Sequence, residues 1–155
     1  MKNQDFSTTI IVPQNKADVF KSITKVRSWW DKGIVGKTNK LDATFIHKAG
    51  NVHTCKLKII EFEPDKKIVW LVQENYFSFT TNAHEWEGSK IEFEISKTFF
   101  KTQVRFTHIG LTPKLECYEH CASEWTDYIQ QNLVNLISKT KIPSTTSAKA
   151  KSPKK

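Results

Sequence analysis

Glycine is scarce in this chain, and what there is lies scattered. Five glycines in 155 residues do not assemble into a phosphate-cradling loop, which argues against nucleotide chemistry of the P-loop kind. Long apolar runs are missing too: no stretch approaches the ~20 residues of a membrane-spanning helix. The opening Met1-Lys2-Asn3-Gln4-Asp5 has no apolar core of signal-peptide length, so a soluble cytoplasmic protein is expected. Cysteine is limited to Cys55, Cys117 and Cys121. Three thiols cannot all pair within one chain, and the last two sit one helical turn apart, a poor geometry for a disulfide. Free thiols are expected, as in a reducing cytosol. Acid is absent from one region. Lys139 to Lys155 holds six lysines and no Asp or Glu. Without those six, 18 basic residues face 16 acidic ones, and the net charge falls from +8 to about +2. The basicity belongs to the tail, and the domain is not read as a nucleic-acid binder.

Aromatics are what the chain has in excess. They make up 12% of it, with five Trp, and such side chains dominate cores and line pockets. The length fits one domain over 1–140, burying about two-thirds of its unfolded surface. The segment 141–155, rich in Ser, Thr, Pro and Lys, lacks apolar periodicity and is expected to be disordered.

Phe6 to Val12 reads as a strand ended by Pro13. Asn15 and Asp18 have the spacing of a helix N-cap and its partner. Val19, Phe20 and Ile23 give that short helix one apolar face, and Val26 to Trp30 predicts a second helical turn. Asp31 to Lys40, with Gly33 and Gly36, is read as a loop, either a basic cavity lid or ordinary surface. Strand signals follow at Leu41–His47, Val52–Phe62, Ile68–Gln73, Tyr76–Trp86, Lys90–Ser96 and Thr102–Ile109. The alternation of Val52–Phe62 slips at Ile59-Ile60, where a bulge is expected. Cys117, Cys121, Trp125, Tyr128, Ile129, Leu133, Leu136 and Ile137 recur at three- and four-residue steps, predicting a helix from Glu116 to Ser138, about 35 Å long. Strands joined by short turns favour an antiparallel meander, and this helix is the large element left to cover it. The expected fold is α+β: a curved antiparallel sheet of six to seven strands wrapped on a long C-terminal helix, with two short helices after strand one.

Val19-Phe20 followed by Trp29-Trp30, then Glu85-Trp86-Glu87-Gly88-Ser89-Lys90-Ile91-Glu92-Phe93-Glu94-Ile95, carry a family resemblance. So do Phe106-Thr107-His108-Ile109-Gly110-Leu111-Thr112-Pro113, Glu116-Cys117-Tyr118, Trp125 and Tyr128. With these residues the chain resembles the START-like (SRPBCC) helix-grip superfamily. Within it, the branch related to the C-terminal domain of the activator of the heat-shock-protein-ninety ATPase is most similar. The resemblance runs from about Phe6 to Ile137. It implies a deep cavity between sheet and helix that often takes apolar small molecules. It implies no fixed ligand and no shared catalytic residue. No counterpart of the separate N-terminal domain of the eukaryotic activators is expected.

The residues expected to line such a cavity are Trp30, Phe45, Leu57, Trp70, Phe79, Trp86, Phe93, Phe106, His108, Cys121 and Trp125. They form either a pocket wall or a packed core. His108 faces the core by strand parity. It is either a polar anchor for a ligand or a tie between strand end and helix start. Cys117, His120 and Cys121 have the types of soft metal ligands, but no second cluster completes a site, and no metal or other cofactor is expected. No Ser or Cys stands in recognisable spacing with a His and an acid. The leading expectation is non-enzymatic binding of a small apolar or amphipathic, lipid- or polyketide-like molecule, by a monomer or weak dimer. The alternative is a chaperone-associated interaction protein. Third is a cyclase or isomerase, with Glu61 and Glu85 the acids available beside His108.

Overall fold

The computed structural model describes residues 4–140; the predicted tail over 141–155 lies outside them. Seven strands and three helices follow one another. β1 (Phe6–Val12) leads into α1 (Lys16–Thr24) and α2 (Val26–Trp29). Then come β2 (Val35–Gly36), β3 (Thr44–Ala49), β4 (His53–Glu63), β5 (Lys67–Phe77), β6 (Lys90–Thr98) and β7 (Lys101–Ile109). The last helix, α3, starts at Tyr118–Asp127, widens to π-type turns over Tyr128–Leu133 and closes over Val134–Ser138. The sheet order is β1-β7-β6-β5-β4-β3-β2, every pairing antiparallel.

Strand alternation decides which face meets α3. In β6, Ile91, Phe93 and Ile95 are buried while Glu94 is exposed. In β7, Val104, Phe106 and His108 are buried and Arg105 is exposed. On α3, Cys121, Trp125, Ile129, Leu133 and Ile137 point to the sheet, and none is more than 2% exposed. The helix thus lays its apolar stripe across the concave face, the arrangement that removes most apolar area from water.

Local chemistry explains the joints. The Asn15 side chain accepts the Asp18 amide at 2.8 Å, capping α1 as expected. The β4–β5 register shifts between Ile59 and Glu61, where the bulge was expected, and again between Lys56 and Leu57. The 31–40 loop is pinned. Arg27 donates to the carbonyls of Ile34 and Gly36, and Thr38 to that of Thr24. Gly36 has φ 114°, and a Cβ there would lie 2.5 Å from the Thr44 carbonyl oxygen, so β2 can approach β3 only with glycine.

One expectation fails. Tyr76–Trp86 continues the sheet only as far as Phe77, where β5 stops, and 78–89 bends and turns away. Two of its polar side chains, Thr80 and Asn82, bond the segment to itself and hold it in a turn. Thr80 donates to the Asn82 carbonyl at 2.6 Å, and Asn82 Oδ1 accepts the His84 amide at 2.9 Å. β2 is a strand inside the 31–40 stretch read as a loop; the fold is otherwise α+β as read, with seven strands among the described residues.

Candidate functional site

Between the concave face and α3 lies one continuous aromatic layer. Trp30 from α2 stacks on Trp70 of β5 at 5.9 Å and on the His47 ring of β3 at 4.5 Å. It also meets Trp125 of α3 at 5.0 Å. Trp125 stacks on Trp86 at 5.9 Å and tilts against Phe106 at 4.7 Å. Phe45 and Phe93 close edge-on against Trp70, each at 5.0 Å. Leu57 is fully buried in the same core. Ten of the eleven residues expected to line a cavity are therefore buried in this interior. Phe79 is not: it lies in the 78–89 segment, 41% exposed, against Phe77 and His120. A groove of about 470 Å³ lies elsewhere, on the solvent-facing side of β6 and β7. It is lined by charged groups such as Lys66, Glu94 and Arg105 and by no aromatic.

Histidines thread the layer. His108 Nδ1 accepts the Trp125 indole N–H at 3.1 Å, so its own proton sits on Nε2, which donates to Ser89 Oγ at 2.8 Å. Ser89 in turn donates to the Trp86 carbonyl. All of the polar capacity of His108 is thus used in tying β7 to α3 and to the start of β6. Burial, with a smaller contribution from His53, lowers its pKa to about 3 and keeps it neutral.

Two other histidines belong to the interior and were not singled out from the sequence. His53 Nε2 meets Asn75 Oδ1 at 2.7 Å, and its pKa falls to about 4, by burial first and by His47 second. His47 Nε2 donates to Asp31 Oδ2 at 2.9 Å. Burial lowers its pKa despite that carboxylate. The signal that would have found both is strand parity. His47 shares a face with Phe45, and His53 with Cys55 and Leu57.

Four buried polar atoms in this layer have no hydrogen-bond partner: His47 Nδ1, Trp70 Nε1, Asn75 Nδ2 and Trp86 Nε1. The Trp86 indole has the Cys121 sulfur beside it, a weak acceptor. Orphans of this kind are uncommon and ask for a reason.

The 78–89 segment covers one end of the layer. Trp86 presses on His53, His108 and Phe77 at 4.8, 4.6 and 5.2 Å. Next to it, Glu85 accepts the backbone amides of Glu116 at 2.8 Å and Cys117 at 3.0 Å, just ahead of α3. Glu116 returns the contact, accepting the Thr81 amide at 2.8 Å.

No family model matches the sequence, and no curated protein matches it. Solved structures do. The Aha1 dimer from Colwellia psychrerythraea aligns at 19% identity and TM-score 0.65, covering 81% of this chain and 90% of that one. Protein MLL2253 from Mesorhizobium loti aligns at 13% and 0.69, covering 87% and 98%. CalU16 from Micromonospora echinospora aligns at 15% and 0.62, covering 86% and 75%. The chain has the START-like helix-grip fold.

In this helix-grip the remaining candidate groups have plain positions. Cys117 and Cys121 face inward. Hydrogen bonding between them, then burial, pushes the Cys121 thiol up, and burial does the same for Cys55. His120 lies exposed against Phe79, 3.4 Å from Glu124. The two thiols and this imidazole therefore do not converge. Glu61 sits on the surface, 3.6 Å from Lys67, and Glu85 is occupied ahead of α3. Neither acid reaches His108. No helix among the described residues is long and apolar enough to cross a membrane.

Proposed function

We propose that this helix-grip domain is a non-enzymatic binding module for a small, flat amphipathic molecule held between the sheet and α3. The observation that carries this reading is the set of four unpartnered polar atoms inside one aromatic layer. Leaving such a group buried and unpaired costs about 1–3 kcal/mol. A ligand with acceptor oxygens would satisfy the N–H groups of Trp70, Trp86 and Asn75. A ligand hydroxyl would donate to His47 Nδ1, which is bare because Nε2 donates to Asp31. The faces of Trp30, Trp86 and Trp125 supply apolar area, at about 25 cal/mol per Å² removed from water. In this reading the 78–89 segment is the entrance, Trp86 its plug and Glu85 its latch. Lipid- and polyketide-like molecules are the ligand class. Titration with an anilinonaphthalene sulfonate probe, followed by displacement with candidate compounds, tests it. Saturable binding that quenches the native tryptophans supports the reading. No binding, together with no thermal shift from any compound, contradicts it.

A second reading, a chaperone-associated interaction protein, is favoured by the likeness to a structure described as an Aha1 dimer. Exposed Val35, Leu41 and Ile46 near one sheet edge support it too. A pull-down with the bacterial chaperone separates the two readings. Capture that is lost on Val35→Ser/Ile46→Ser favours this one. A third reading, isomerase or cyclase, rests on the part-buried Asp31–His47 pair. It requires turnover that His47→Gln abolishes while leaving binding intact.

A further inference from the structure

The β6–β7 hairpin turns through two residues, Phe99 and Phe100, since Thr98 pairs with Lys101. Both rings are 93% exposed. Phe99 has φ 55°, a backbone conformation that favours glycine in a tight hairpin turn. Folding alone gives no reason for an aromatic at this position. Lys97 and Lys101 flank the pair, and from Ser96 to Gln103 there is no acid. On neighbouring β1, Ile11 is also exposed and lies opposite Gln103. The adjoining β4–β5 connection adds Glu63, Asp65, Lys66 and Lys67, whose charges offset one another; Lys16 and Asp18 do the same on α1.

The C-terminal end of the described chain lies at this same pole. Thr102 donates to the Gln14 carbonyl at 2.7 Å, and Gln14 donates to the Thr140 carbonyl at 3.2 Å. Lys139 precedes that point, and five further lysines with no acid follow it in sequence. An aromatic tip ringed by lysines, with the origin of a polycationic segment beside it, has the chemistry of a surface that meets anionic lipid.

We propose that the Phe99-Phe100 tip inserts shallowly into an anionic membrane surface, with Lys97 and Lys101 contacting the headgroups. Two rings and a handful of cations make a reversible, salt-sensitive attachment that needs no membrane-crossing segment. The inference stands apart from the interior binding reading, since the tip touches none of the aromatic layer.

The full-length chain is sedimented with vesicles of phosphatidylcholine alone and of equal parts phosphatidylcholine and phosphatidylserine. Binding to the mixed vesicles is expected, and loss of it at about 0.5 M salt. The Phe99→Ser/Phe100→Ser variant should bind at least ~10-fold more weakly, and Lys97→Gln/Lys101→Gln several-fold more weakly. Both pairs are exposed, so circular dichroism should match the parent. Phe100→Trp should gain fluorescence quenching by brominated lipid that the buried native tryptophans do not show. Equal binding by the parent and the Ser variant overturns the proposal. So does equal binding to both vesicle types. No vesicle binding, with a dimer in sedimentation equilibrium that the Ser variant abolishes, overturns it in favour of a second copy as the occupant.

Discussion

Two pairs of aromatics in this protein stand in opposite surroundings. Phe93 and Phe106 meet inside at 5.2 Å, both fully buried. Phe99 and Phe100, a few residues away on the same hairpin, project into water. The inner pair is explained by the fold, because burying such rings is what holds α3 on the sheet. The outer pair gains nothing from folding, and at Phe99 the backbone conformation works against it. Where packing accounts for a residue, its identity says little about function; where it does not, function is the remaining explanation. The same contrast operates inside the layer. His108 has every bond it can make, whereas His47, Trp70, Asn75 and Trp86 each keep one atom unpaired.

The largest expected effect comes from cutting the interior. Trp125→Ala removes the central ring of α3 and the donor to His108, and should cost about 3–5 kcal/mol in urea unfolding. Acid should weaken the same layer. His53 and His108 titrate at about 4 and about 3 when folded, against about 6.5 when unfolded. Between these values the unfolded chain binds more protons, so stability falls as pH drops below about 6.5. The slope approaches about 1.4 kcal/mol per pH unit for each histidine and levels off below the folded values. Unfolding midpoints from pH 8 to 4 check this, and His53→Gln should flatten the curve.

Smaller effects test the entrance and the tip. Glu85→Gln weakens the acceptor of two amides ahead of α3 and should cost about 1 kcal/mol. If the 78–89 segment is the entrance, the same change should speed probe uptake in stopped flow. At the tip the sign reverses. Phe99→Gly relieves the positive φ and should stabilise by up to about 1 kcal/mol. A loss of stability there would mean that the tip packs on something and that the contrast drawn above is wrong.

Much of the fold was legible because its patterns are long. The helical stripe from Cys117 to Ile137 and the alternation in β6 each repeat enough times to override local noise. The Ile59 bulge showed as a break in period. The 78–89 segment misled because Tyr76, Phe77, Phe79 and Trp86 have strand-like composition. The side-chain bonds of Thr80 and Asn82, with the backbone bonds from Glu87 to His84 and from Ser89 to Trp86, reveal that the backbone turns. The site was half legible. Every named aromatic except Phe79 is buried in the layer, but Asp31, His47, His53 and Asn75 come from separate elements that only the folded sheet brings together. The register shift opposite Lys56 and Leu57 puts an extra residue into β5 at Gln73-Glu74, which breaks the alternation that would have linked Asn75 to Trp70 and Val72.

In the binding reading, the unpaired N–H groups of Trp70 and Trp86 are where a ligand bonds. The indole N–H resonances of an ¹⁵N-labelled sample test this most directly. On titration with an amphipathic aromatic probe, the Trp70 and Trp86 signals should shift in a saturable way. Those of Trp29 and Trp125, already bonded to the Ile23 carbonyl and to His108, should move little. A probe that binds without moving Trp70 or Trp86 would contradict the account.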